Sequence, residues 1–221
     1  MLTYAVALVA VMPAKAALTL TGSPVLWSDV AGSAWNGEIA LRDRVRVGWD
    51  AVPLRSLTQL ALAADVMVEG RDTDVTGRGR MRPGSVVLEE MTGVAGWPLF
   101  AAAAPNLPFE CDVEVRVDVE LMAFGGDRQG IEGNLASGPG TCTASLLGVS
   151  SAPATLPALV AEATRNDAAS RVVLAPRDNR GDRLAEATLT RGGRLSLTVL
   201  PAGSALLPGG FVPATSFDAQ L

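Results

Sequence analysis

Apolar and polar side chains alternate without a break along residues 110–121, ECDVEVRVDVEL. Cys111, Val113, Val115, Val117, Val119 and Leu121 take one parity; Glu110, Asp112, Glu114, Arg116, Asp118 and Glu120 take the other. Successive side chains of a β-strand point to opposite faces, so this spacing predicts one strand with a dry face and a wet face. A helix would scatter the valines around its circumference, where their branched Cβ restricts χ1. At about 3.4 Å per residue the strand would run roughly 40 Å, well beyond the usual length. The predicted organising element is an extended antiparallel sheet with a single apolar face. Val113, Val115, Val117, Val119 and Leu121 are the candidate row for that face, as core or as an apolar groove.

The same period recurs on both sides. Ile39 and Leu41, then Val45, Val47 and Trp49, then Leu60, Leu62, Ala64, Val66 and Val68 mark strands, with Pro53 as an interruption. Residues 23–27 predict an earlier strand, 73–81 a strand spaced by Gly77 and Gly79, and 86–90 another. Residues 96–104, GWPLFAAAA, break the pattern and predict a short helix from Pro98, ended by Pro105 and Pro108, as a lid on one end of the sheet. Ile131, Gly133 and Leu135 predict the return strand, and Cys142, Ala144 and Leu146 a third. Residues 148–157 read as a linker, and 156–163 fit either a helical turn or a short strand. Three further strands are expected at 171–175, 184–190 and 194–200. Short turns between strands, with no regular helices, favour an antiparallel meander over βαβ units. The expected fold is all-β: a long, curved, mostly antiparallel sheet with one or two short helices and an N-terminal apolar segment.

Residues 2–12 are apolar apart from Thr3 and are followed by Pro13 and Lys15. Eleven residues are too few for a membrane-spanning helix, which needs about 20. Residues 1–17 are read as a signal or membrane-anchor segment, against the alternative of a buried N-terminal helix. Residues 18–200 then form the β-rich domain, and the weakly periodic 201–221 a loosely ordered tail.

Of the 221 residues 48% are hydrophobic and 19% charged, enough for a sizeable core. A net charge of −5 and a pI near 4.8 argue against a nucleic-acid partner. The chain has no histidine, which removes the commonest general base and metal ligand and every Ser-His-Asp or Cys-His arrangement. No cofactor, metal or catalytic residue is expected. GRGR at 77–80 and GGDRQG at 125–130 lack the Gly-Lys-Ser/Thr ending and the strand-to-helix context of a phosphate loop. The carboxylates of residues 110–120 read as a solvated face. Cys111 and Cys142 are the only cysteines. In a simple meander of 110–121, 130–136 and 141–147 they would lie about 9.6 Å apart, beyond disulfide reach unless the middle strand is short or displaced. A disulfide and a pair of buried thiols both remain open.

Val30-Ala31-Gly32-Ser33-Ala34-Trp35-Asn36-Gly37 resembles the V-x-G-T-x-W-x-G element of the type II secretion system protein N family. Gly32, Trp35 and Gly37 carry the match. Trp49 continues it as the tryptophan strand of that family, Val47-Gly48-Trp49, running into Pro53-Leu54 and Leu57. A glycine-spaced strand, a short apolar segment and a glycine-led strand pair follow in the family's order, so the resemblance spans residues 10–148. It implies a bacterial inner-membrane protein with most of its mass in the periplasm. It also implies a non-enzymatic accessory of the machine that moves folded proteins across the outer membrane, with other secretion-system or envelope proteins as partners. The β-rich domain is similar as well to the half-pipe sheets of AsmA-like envelope proteins, which implies lipid in an apolar trough as an alternative.

Overall fold

The computed structural model describes residues 12–16, 29–103, 109–126, 129–146, 149–150, 153–206 and 216–220. Thirteen strands of this region form one sheet in which every neighbouring pair is antiparallel. The first six follow in chain order: β1 (Asp29–Gly32), β2 (Asn36–Ala40), β3 (Arg46–Ala51), β4 (Leu62–Gly70), β5 (Thr73–Arg82) and β6 (Ser85–Gly96). β8 (Glu114–Gly125) pairs with β6, and β9 (Gly130–Ser137) with β8. The sheet continues through β13 (Leu159–Arg165), β14 (Ala169–Pro176), β15 (Ala185–Thr190), β16 (Arg194–Val199) and β17 (Ser216–Gln220). Two excursions leave this meander. They supply β7 (Phe109–Asp112), β10 (Gly140–Leu146), β11 (Val149–Ser150) and β12 (Ala154–Leu156), which make a second, small sheet around β10.

Residues 110–121 are therefore two strands and not one. β6 ends at Gly96, opposite Glu114, and the chain then turns into the helix Trp97–Ala103. Upstream of Glu114 the main sheet offers no partner, so residues 109–112 pair with β10 instead. The alternation survives the break, with Cys111 buried and Glu110 and Asp112 exposed. Alternation reports which way side chains face, not which sheet they join.

A second departure concerns Leu121. Val115, Val117 and Val119 lie on the apolar face, but a bulge at Glu120 shifts the register to β9 between Val119 and Leu121. The neighbouring bulge in β6 puts Glu90 at φ 53°. One inserted residue flips the parity. Leu121 then lies opposite Glu89 on the polar face, and Met122 takes the inward place opposite Leu88.

The core forms on the inward face of the first half of the sheet. Val45, Val68, Val75, Met91, Ala95 and Val119 are buried together, with Leu99 and Phe100 of the helix Trp97–Ala103 packed over them. That helix covers one end of the sheet, as its alanine-rich sequence predicts. The helix Pro53–Gln59 was not expected; Pro53 starts it, and Leu60, read as a strand residue, closes it in the left-handed conformation. Residues 156–163 resolve into β12 and the start of β13. The tail is not wholly loose: Pro201–Ser204 is a helical turn, and Ser216–Gln220 pairs with β16. The expected strand at 23–27 and the apolar run at 2–11 lie outside the described residues. Residues 12–16 pack on the domain, with Pro13 bridging to Ser33 and Ala14 buried.

Candidate functional site

Two places gather the residues singled out by sequence. The first is the turn joining β1 to β2. Gly32 has φ +89°, and a Cβ there would sit 2.5 Å from the Asn36 carbonyl oxygen, so only glycine fits. The Ser33 hydroxyl accepts from the Trp35 and Asn36 N–H groups at 3.2 and 3.1 Å, closing the turn. The Trp35 carbonyl accepts from the Ala51 N–H at 2.6 Å, tying the turn to β3. The Trp49 indole lies over Gly37, where a Cβ would be 2.5 Å from its ring, and donates Nε1–H to the Ala34 carbonyl at 3.2 Å. The Ala34 N–H donates to the Met12 carbonyl at 2.9 Å. Gly32, Trp35, Gly37 and Trp49 thus form one lock, which also fastens the N-terminal segment to the sheet.

The second place is an apolar cleft of about 310 Å³ at the opposite end of the sheet. Its floor is the inward face of the main sheet: Val115, Leu135, Leu159, Ala161, Leu174, Ala185 and Val199. Its roof is Trp97 and Phe100 of the helix, Phe109 and Leu156 of the small sheet, and Leu206. Trp97 and Phe109 pack with ring centroids 5.6 Å apart. Cys111 and Cys142 face each other across β7 and β10, form a disulfide and line the cleft. They meet because β10 pairs with β7 directly and not through β9, which removes the spacing problem of a simple meander. Val113 and Val115 of the predicted apolar row reach the cleft; Val117 and Val119 belong to the core, and Leu121 to neither. Sequence reading missed Leu159, Leu174 and Val199, because only the register brings such distant strands together.

The polar face is built differently. An open basin of about 870 Å³ over β2–β6 is lined by Glu38, Arg46, Asp50, Asp65, Glu69, Arg78 and Glu90. Arg78 pairs with Glu90, Arg80 with Glu89, and Arg55 with Asp65. On β14 and β15 Glu186 accepts from Arg171 at 2.6 Å and from Arg183 at 2.8 Å. These two bonds, first Arg171 and then Arg183, hold its carboxyl below the ordinary range. Glu110, Asp112, Glu114, Asp118 and Glu120 are exposed, and no metal-holding group of side chains occurs among the described residues. No described helix is long and apolar enough to cross a membrane.

This chemistry defines a β-sheet protein with an apolar cleft and a tryptophan–glycine lock. Comparison with known proteins returns no matching family model, no matching curated protein and no matching solved structure.

Proposed function

We propose that the chain is a non-enzymatic accessory component of the bacterial type II protein secretion system. In this reading a β-rich periplasmic domain is held at the inner membrane by the N-terminal segment and contacts other proteins of the machine. The observation that carries it is the lock. Gly32, Trp35, Gly37 and Trp49 are scattered in an ordered motif run, and they meet at one point that also holds residue Met12. A motif whose members cooperate in one device is a stronger resemblance than four separate matches. The test is a deletion strain: type II substrates should accumulate in the periplasm and return to the medium on complementation. Unchanged secretion would sink the reading.

The cleft favours a second reading, an envelope module holding lipid. Its lining is almost wholly carbon, and 310 Å³ is at the lower end for small-molecule sites, the size of one hydrocarbon chain and not of a whole lipid. Gently extracted protein should carry lipid detectable by mass spectrometry. The Ala161→Leu variant, which fills the floor, should lose that lipid while keeping its fold; lipid-free parent protein removes this reading.

A further inference from the structure

The lock end of the sheet carries an apolar surface of its own. The helix Pro53–Gln59 presents Leu54 and Leu57 at 75% and 74% exposure, and Leu60 just beyond it at 86%. Leu54 and Leu57, at i and i+3, share one flank of the helix, and Leu60 follows at its left-handed C-cap. Soluble surfaces show single exposed leucines; three together mark a contact. We propose that this helix is a membrane-contact site that seats the lock end of the sheet on an anionic lipid surface.

Register settles which end this is. Asn36 pairs with Asp50, Ala51 with Ala64, and Leu62 with Met81, so the 33–35 turn, the helix and the 83–84 turn share one end. The described N-terminal segment 12–16 meets the domain at that end, where the Met12 carbonyl accepts from the Ala34 N–H. The occupant follows from that placement and from charge. The helix sequence PLRSLTQ has no carboxylate. Exposed Lys15 belongs to the 12–16 segment that is bonded to the lock, exposed Arg82 donates to the Gln59 carbonyl at 2.6 Å, and Arg55 of the helix balances Asp65. Exposed leucines beside cations are what a bilayer interface with anionic headgroups accepts. The cleft, bounded by Leu159, Ala185 and Val199, lies at the far end and would face away from the surface.

The proposal rests on the reading of the N-terminal segment as a membrane anchor, and the experiment separates the two. Full-length Leu57→Cys protein is labelled with an environment-sensitive fluorophore; the native cysteines are paired, so the new thiol is the free one. Asp178→Cys, in an exposed turn at the far end, is the control. Both are reconstituted with vesicles of phosphatidylethanolamine and phosphatidylglycerol containing a lipid with a nitroxide near the headgroup. The label at 57 should shift to the blue and lose most of its emission, and the label at 178 should do neither. Adding Leu54→Ser and Leu60→Ser, which removes the apolar side chains on either side of the label, should abolish most of that quenching. Protein that floats with vesicles but keeps an unquenched label at 57 overturns the contact site and leaves the anchor standing. Failure to float overturns the anchor first and the contact site with it. A blue-shifted label at 57 before lipid is added means that protein covers the leucines, which also overturns the proposal.

Discussion

Gly37→Ala isolates the lock. In an ordinary strand this change removes a flexible residue and stabilises by about 0.5–1 kcal/mol. Here the new Cβ would lie 2.5 Å from Trp49 Cζ2, 2.9 Å from Cη2 and 2.7 Å from the Ala31 carbonyl oxygen. Carbon atoms rest at about 3.5–4.0 Å, so the indole must retreat by roughly 1 Å. The ring is tethered by its Nε1–H bond to Ala34 at 3.2 Å, and retreat stretches that bond. Overpacking costs about 1–3 kcal/mol and the strained hydrogen bond about 1 more, giving about 2–4 kcal/mol. For a chain of this length that is a fall of roughly 5–15 °C in melting temperature by far-ultraviolet circular dichroism. Trp49→Leu removes the ring edge that the methyl strikes, so the double variant should be less damaged than the two single penalties predict, by about 1 kcal/mol or more. A Gly37→Ala protein that melts like the parent, or penalties that simply add, would refute the packing assigned to this glycine.

Three further outcomes follow from other parts of the sheet. Cys111→Ser with Cys142→Ser opens a loop set by a sequence separation of 31 and should cost about 3–4 kcal/mol in urea unfolding; in the parent no thiol should alkylate before reduction. Glu186→Gln should weaken the protein at neutral pH and cease to matter in acid. The carboxyl's folded pKa is lowered, so its contribution is complete above the ordinary carboxylate range and is lost as pH falls through the folded value; a deficit that grows in acid would be the wrong sign. Val119→Asn, at a position 5% exposed, should cost several kcal/mol, whereas Leu121→Asn, on the polar face beyond the bulge, should cost under about 1 kcal/mol by the same measurement.

Facing was legible in the sequence because period 2 is a local property. Val115, Val117, Val119 and Leu135 turn inward as their spacing predicts. Partners were not legible, because pairing is decided by where neighbouring strands end. The split at Val113 depends on Gly96, far back in the chain, having no continuation. The reversal at Leu121 depends on a bulge whose counterpart is Glu90, a residue that reads as one more polar position. The helix Pro53–Gln59 escaped because Leu54, Leu57 and Leu60 look like strand punctuation unless their spacing of three is weighed above the Pro53 break. The cleft escaped for the reason that hid the disulfide: both exist only because β10 leaves the main sheet.

The inward face is largely apolar and uneven in volume, and that unevenness places the cleft. Across β4–β8 the inward positions carry Val68, Val75, Met91, Val117 and Val119, which pack in one cluster with Leu99 and Phe100 of the helix Trp97–Ala103. Across β13 and β15 the floor carries Ala161 and Ala185 beside Leu159, and each alanine removes a branch of side chain from it. The small sheet, held as one unit by the Cys111–Cys142 bond, bridges this hollow and does not collapse into it. A disulfide that only stabilised could stand anywhere in the fold. Cys111–Cys142 ties β7 to β10 inside the roof and stiffens that layer over the hollow, and a close-packed interior does not otherwise leave such space unfilled.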